Sequence, residues 1–210
     1  TKTNRIVRAA NGRAVMEFGS RRAQGFDGAI YGARAAYIGG CVGTSCVKAG
    51  KDFDIPVFGT MAHSWIQLFD SEYDAFKAYA EVYPDNCTFL VDTFETLKKG
   101  IPNAIKVANE VLKPLGCRPK GIRIDSGDIT YLSKRARKML DDAGYPDCSI
   151  CVSNALDEYL IRDMLMQGAR VDSFGVGERL ITAKSEAVFG GVYKLVGIEN
   201  ESGEIISKIK

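Results

Sequence analysis

The chain alternates apolar strand-like runs with helix-like runs, which predicts an α/β protein built on a parallel sheet. An irregular, incomplete parallel barrel is favoured over the runner-up, a doubly wound open sheet. Three observations carry this. From residue 55 onward the order strand, loop, helix recurs five times, counting the last strand with the residues after it, and one or two more units precede it. The polar loops all come after strands, and a parallel barrel gathers such loops at one mouth. The tail departs from the pattern: residues 187–196 and 204–209 read as a hairpin turning at residues 200–203. The expected organisation is a barrel core over residues 1–186 and a C-terminal β-hairpin extension over residues 187–210.

In order, residues 1–10 read as helix and 14–18 as a short strand. Gly19 and Ser20 begin a turn, and residues 22–38 form a small-residue helix loosened by Gly25, Gly28 and Gly32. After a glycine-rich connection, Thr44 or Ser45 is placed to cap a brief helix ending at Gly50. Residues 55–58 read as the strand before the chain's single histidine, His63, and a helix-like run comes after it. Ser71 opens a helix through a capping-box-like pattern, and Pro84 stops it. Residues 87–91 form a strand ending at Asp92, and Pro102 opens a helix that closes near Pro114. Residues 120–124, 147–152 and 169–174 read as strands. Helices over residues 129–143 and 157–167 separate them, and Gly144 and Gly168 end those helices.

The composition is 46% hydrophobic and 26% charged, ordinary for a globular protein with a packed core. The net charge of +2 makes no case for nucleic acid, but its distribution is uneven. Residues 1–50 hold eight basic and two acidic side chains, a local excess suited to an anionic ligand. The six cysteines stand mostly in apolar runs and read as reduced core residues of a cytoplasmic protein. Cys148 and Cys151 form a C-x-x-C, but on a strand they fall on opposite faces, and no second pair completes a metal site. No apolar run approaches the roughly 20 residues that span a membrane. With helix at one end and a strand in progress at the other, the chain is expected to be a piece of a longer protein.

Residues after each strand meet at the barrel mouth, which nominates a set. Phe18 and Arg21 offer a ring and a cation, suited to a flat aromatic acid. His63, just past a strand, can take a proton, a metal or a phosphoryl group. Arg123 and Asp125 are two apart on one strand and point the same way. Asp125 with Asp128 can hold Mg²⁺ or sugar hydroxyls, although Asp128 also suits a helix start, and Asp92 shares that ambiguity. Ser153 and Asn154 come after the next strand. Gly175 and Gly177 come after the last and expose backbone N–H groups to an anion.

Six spaced motifs occur in order: EFGSRRAQG (17–25), GTMAHS (59–64), RIDSGD (123–128), SN (153–154) with DE (157–158), FGVG (174–177) and GVYKL (191–195). Together they resemble nicotinate phosphoribosyltransferase over nearly the whole chain, although members of that family are roughly twice as long. The resemblance implies an irregular TIM-like α/β barrel. It implies transfer of phosphoribosyl from phosphoribosyl pyrophosphate to nicotinate, the first step of NAD biosynthesis from that base, coupled to ATP through a phosphohistidine.

On this resemblance His63 is the phosphoryl acceptor, and Phe18 and Arg21 face the pyridine ring and its carboxylate. Arg123 and Asp125 serve the ribose and ring region, with Mg²⁺ near Asp125, and Gly175 and Gly177 form the phosphate loop. Thr60, Ser64, Ser153 and Asn154 are motif residues on the substrate side. Ser45 stands where nicotinamide-using relatives carry aspartate, which favours a carboxylate-bearing base. Cys46 departs from the asparagine common in nicotinate enzymes. A homodimer with shared sites is implied, and no nucleic acid or membrane partner. The alternatives are a nicotinamide- or quinolinate-using relative, another barrel enzyme acting on a sugar phosphate, and an inactive barrel fragment serving as a binding or oligomerisation core.

Overall fold

Six short strands carry the sheet of the computed structural model, which describes residues 1–208 apart from Phe189. They are β1 (Ala14–Glu17), β2 (Gly43–Thr44), β3 (Thr88–Leu90), β4 (Gly121–Ile124), β5 (Ser149–Val152) and β6 (Ser173–Val176). Their order is β2-β1-β6-β5-β4-β3, and every adjacent pair is parallel. That order is sequential around a circle, broken only between β2 and β3. The helices are α1 (Lys2–Ala9), α2 (Phe26–Ile38), α3 (Val47–Phe53), α4 (His63–Gln67), α5 (Glu72–Val82), α6 (Ile101–Val107), α7 (Ile129–Asp142), α8 (Glu158–Met166) and α9 (Glu178–Ile181). An antiparallel pair, β7 (Gly197–Glu199) and β8 (Ile205–Ser207), stands apart in the tail.

The register divides the sheet's two faces by chemistry. Phe89, Ile122 and Ile150 align across β3, β4 and β5, and Ile124, Val152, Phe174 and Val15 align one step on. All are buried, and Phe76 of α5 packs 5.0 Å from the Phe89 ring, so this is the helix-covered face. Because side chains alternate, the opposite face carries Leu90, Arg123, Cys151 and Ser173 in one row and Gly175, Met16 and Gly43 in the next. That face bears the chemistry.

Caps fix where several helices begin. Ser71 accepts from the Asp74 N–H, Asp128 from Tyr131, and Asp157 from Tyr159 and Leu160. Asp128 is therefore engaged as a helix cap, the plainer of its two sequence readings.

Other boundaries moved. The helix expected from Arg22 begins at Phe26, because residues 20–22 form a tight turn and Gly25 takes a left-handed φ of 88°. Neither Thr44 nor Ser45 caps α3. Cys46 holds that position, and the Thr44 hydroxyl accepts its N–H at 2.9 Å. The expected strand at residues 55–58 reduces to one parallel bridge, Val57 with Thr44. The coil before α6 starts at Thr96 as a wide turn, and Gly100 lies so close to the Val91 carbonyl that a Cβ would sit 1.8 Å from its oxygen. In the tail, the first hairpin arm is Gly197–Glu199 rather than residues 187–196, and Ile209 lies outside the described residues.

Five of the six cysteines are buried, and burial pushes the Cys87 and Cys148 thiols up to about 12. Cys117, expected in the core, is only partly buried and donates to Asp85.

Candidate active site

The centre of the rim is a fork. Arg123 donates through Nε to Ser153 Oγ at 2.8 Å, through Nη1 to Thr60 Oγ1 at 2.8 Å, and through Nη2 to Asp125 Oδ1 at 3.0 Å. Its guanidinium also lies 5.7 Å from the Phe18 ring centroid. One planar cation thus gathers residues from the ends of β1, β4 and β5 and from the loop before α4, which is the geometry a rigid guanidinium favours. The Ser153 hydroxyl donates on to Asp125 Oδ1.

Asp125 is the second hub. Burial pushes its carboxyl up, but the Ser153 hydrogen bond, the Arg123 charge and His63 together outweigh burial and hold it below the usual range. Its second oxygen, Oδ2, lies 3.5 Å from His63 Nε2. The His63 ring is partly exposed, with Nδ1 3.0 Å from Thr93 Oγ1. An ionised Asp125 favours the proton on Nε2, which leaves Nδ1 as the lone-pair nitrogen accepting from Thr93. Behind them, buried Asp92 accepts from the Asp125 N–H at 2.9 Å and the Ser126 hydroxyl at 2.6 Å. Asp92 therefore braces the loop rather than capping a helix.

Two adjoining cavities open around this hub. One, of about 140 Å³, is lined by Phe18, Arg21, Arg123, Asp125, Ser153, Asn154, Gly175 and Gly177 among others. The other, of about 480 Å³, is lined by Phe18, Arg21, Ser45, Thr60, His63, Ser64, Arg123 and Asp125 among others. Apart from Asp92 and Asp128, every site residue nominated from the sequence lies on one of the two walls, and Phe18, Arg21, Arg123 and Asp125 lie on both. Arg21 makes no hydrogen bond or ion pair among the described residues, whereas its neighbour Arg22 pairs with Glu178 at 3.1 Å.

Gly175, expected after the last strand, lies within β6, and Gly177 comes just past its end; both glycines have a steric reason. A Cβ at Gly175 would lie 2.5 Å from the Phe18 ring, and one at Gly177 3.0 Å from the Phe18 carbonyl oxygen. Asn154 sits at φ 110°, a strained backbone position on the rim.

A sequence model of the nicotinate phosphoribosyltransferase (NAPRTase) family matches residues 13–207. The chain belongs to this family. It is 52% identical over its whole length to a nicotinate phosphoribosyltransferase of Bacillus subtilis, covering 42% of that protein. It is 42% identical over 98% of its length to nicotinate phosphoribosyltransferase pncB2 of Mycobacterium tuberculosis, covering 45% of that protein. The chain thus spans less than half the length of these curated relatives.

Among solved structures, human nicotinic acid phosphoribosyltransferase superposes with a TM-score of 0.77 at 28% identity, over 83% of this chain and 46% of that one. Nicotinate-nucleotide pyrophosphorylase from Pyrococcus furiosus gives 0.74 at 30%, over 87% and 46%.

Three residues that support this candidate site escaped sequence reasoning. Thr93 comes after Asp92 with no motif of its own, and only the fold brings it to His63. Glu17, quoted as the first letter of a motif, is fully buried and accepts from Gly19 N–H and Thr44 Oγ1. Thr44 read as a helix cap. Strand alternation places Glu17 on the face opposite the cleft, so rim position could not flag it.

Proposed function

We propose that the longer protein containing this chain is a nicotinate phosphoribosyltransferase, forming nicotinate mononucleotide and pyrophosphate from nicotinate and phosphoribosyl pyrophosphate with coupled ATP hydrolysis. The observation that carries this reading is the convergence of Phe18, Arg21, His63, Arg123, Asp125 and Gly175 on two joined cavities in a chain of this family.

In the transfer, the pyridine nitrogen bonds to the ribose anomeric carbon as its bond to pyrophosphate oxygen breaks, and the electron pair leaves with pyrophosphate. The nucleophile carries no proton there, so the site needs positioning and charge more than a strong base. Phe18 supplies a ring face, and Arg21 a cation for the base carboxylate. Ser45 puts no negative charge opposite that carboxylate. The Asp125 carboxylate opposes positive charge developing on the ribose. Gly175, Gly177, Ser153 and Asn154 border the smaller cavity, on the phosphate side.

For ATP coupling, His63 Nδ1 attacks the terminal phosphorus and the bond to the ADP oxygen breaks. Asp125 holds the proton on Nε2 and stabilises the resulting phosphoimidazolium. Hydrolysis then returns phosphate and the free imidazole. Thr60 and Ser64 flank this step on the same wall.

The donor set fits magnesium of the kind that keeps its waters and is held by one carboxylate plus substrate phosphates. Asp125 lines both cavities; its Oδ1 is taken by Ser153 and Arg123, and among the described residues its Oδ2 has only His63 Nε2 near it, at 3.5 Å. Among the described residues there is no cluster of three metal-ligating side chains. Asp125 would hold the ion, which would neutralise pyrophosphate charge.

The cyclic strand order supports a TIM-like barrel left open between β2 and β3. In an open sheet the β2–β3 connection would cross every other strand, whereas in a barrel it joins neighbours. Residues 1–186 would be that core and 187–210 the extension. Val188, Val192, Tyr193 and Ile205 are largely exposed, which supports burial of this tail in a homodimer with shared sites. Six free cysteines support a cytoplasmic setting. No helix among the described residues is long and apolar enough to cross a membrane.

The test is competition among three bases, using the full-length protein with phosphoribosyl pyrophosphate. Nicotinate should give its mononucleotide with kcat/KM at least about a hundredfold above nicotinamide or quinolinate. Preference for either of the others would overturn the assignment.

A further inference from the structure

We propose that Glu17 is a positioning residue of the base subsite, tying residues 18–21 to residues 45–46 from behind the sheet. The subsite itself rests on the function proposed above.

Glu17 is 0% exposed and lies on the helix-covered face, where its partner in register on β6 is Val176 and the row beside it is Val15 and Phe174. A carboxylate in such a layer is retained only when its oxygens are satisfied. Here they are. The Gly19 N–H donates to Oε1 and the Thr44 hydroxyl to Oε2. Thr44 is the residue paired with Glu17 in β2, and its oxygen in turn accepts the Cys46 N–H at 2.9 Å. A side-chain tie therefore runs Gly19, Glu17, Thr44, Cys46 across the ends of two strands. It runs alongside one backbone bond, from the Ser45 N–H to the Glu17 carbonyl at 2.9 Å.

Packing alone does not call for this acid, since an aliphatic side chain would fill the layer without a desolvation penalty. The position of the tied segments gives a reason for it. Phe18 and Arg21 line both cavities, and Ser45 lines the larger one. The loop after Glu17 has little slack: a Cβ at Gly19 would lie 2.5 Å from Ile181 and 2.8 Å from Glu17 Oε1. Burial raises the Glu17 carboxyl while the Thr44 and Gly19 bonds oppose it, consistent with these two bonds being its compensation. None of Asp125, Ser153 or Gly177 belongs to the tie, so losing it should disturb the base before the phosphoribosyl donor.

The test uses Glu17→Gln, the near-isosteric Thr44→Val and the conservative Thr44→Ser in the full-length protein, read by amide hydrogen exchange and by steady-state kinetics. Glu17→Gln and Thr44→Val should each speed exchange at both Gly19 and Cys46 by about tenfold, as loss of a buried hydrogen bond implies. Each should raise the nicotinate KM at least roughly fivefold while kcat and the phosphoribosyl pyrophosphate KM stay within about twofold. Thr44→Ser should behave as wild type in both readouts. Faster exchange at Gly19 alone in Glu17→Gln, or equal rises in both KM values, would overturn the proposal. If the wild-type protein fails to turn over nicotinate, the functional assignment falls, and exchange at Gly19 and Cys46 still decides whether the tie exists.

Discussion

Replacing Arg123 by alanine should damage both stability and turnover, and the structure sets the scale. The side chain makes three hydrogen bonds, one of them to a carboxylate. A bond to a charged partner contributes about 1.5–3 kcal/mol and each neutral one about 1 kcal/mol. Arg123 and Asp125 are 18% and 24% exposed, so solvent screens part of the pair, while Asp125 left without its cation adds to the loss. The net destabilisation is about 3 kcal/mol, which for a domain of this size lowers Tm by about 6–12 °C. In catalysis the same change lets Phe18, Thr60, Ser153 and Asp125 drift together, and kcat/KM should fall at least about a hundredfold. Arg123→Lys keeps the charge but not the fork and should fall between the two. Calorimetry and initial-rate kinetics on the full-length protein provide the assay. If Arg123→Ala melts within about 1 °C of wild type and keeps its kcat/KM, the fork does not organise the site.

The same geometry sets two more outcomes. Ser45→Asp places a carboxylate on the cleft wall, where two like charges about 5 Å apart at an effective dielectric near 20 repel by roughly 3 kcal/mol. The preference for nicotinate over nicotinamide should drop at least about tenfold, and an unchanged ratio in competition assays would separate Ser45 from the base carboxylate. Asp125 has its folded pKa held below the unfolded value near 3.9, so its contribution to stability is complete above about pH 4 and fades as pH falls through the folded pKa. The Tm difference between wild type and Asp125→Asn should stay constant from neutral pH down to about pH 5 and narrow below about pH 4. A difference that widens in acid would contradict the sign of the shift.

Periodicity made the helices and the central strands legible. The runs at 121–124, 149–152 and 173–176 are flanked by turn residues; the first two form strands within their expected bounds, while β6 overlaps its expected run only at residues 173–174 and extends to Val176. What failed were features set by tertiary contact. Residues 55–58 are apolar enough for a strand, but Val57 and Phe58 remain substantially exposed and make only a bridge to Thr44, because no second strand lies alongside. Helical structure starts at Thr96 rather than near Pro102, and Gly100 in that turn passes the Val91 carbonyl at a distance only glycine allows, an approach invisible in the local sequence. At the site, residues just past the strands were legible because a parallel sheet collects them at one rim. Glu17 and Thr93 were not: one points away from that rim, and the other meets His63 only through folding.

The most direct test of the proposed chemistry is mass spectrometry of His63 after the full-length protein is incubated with ATP and magnesium. An acid-labile phosphate on His63, absent in His63→Ala and discharged on adding nicotinate and phosphoribosyl pyrophosphate, is the predicted result. The variant should also lose ATP stimulation while keeping weak ATP-independent turnover. Full ATP stimulation with an unmodified His63, or undiminished coupling in His63→Ala, would contradict the account.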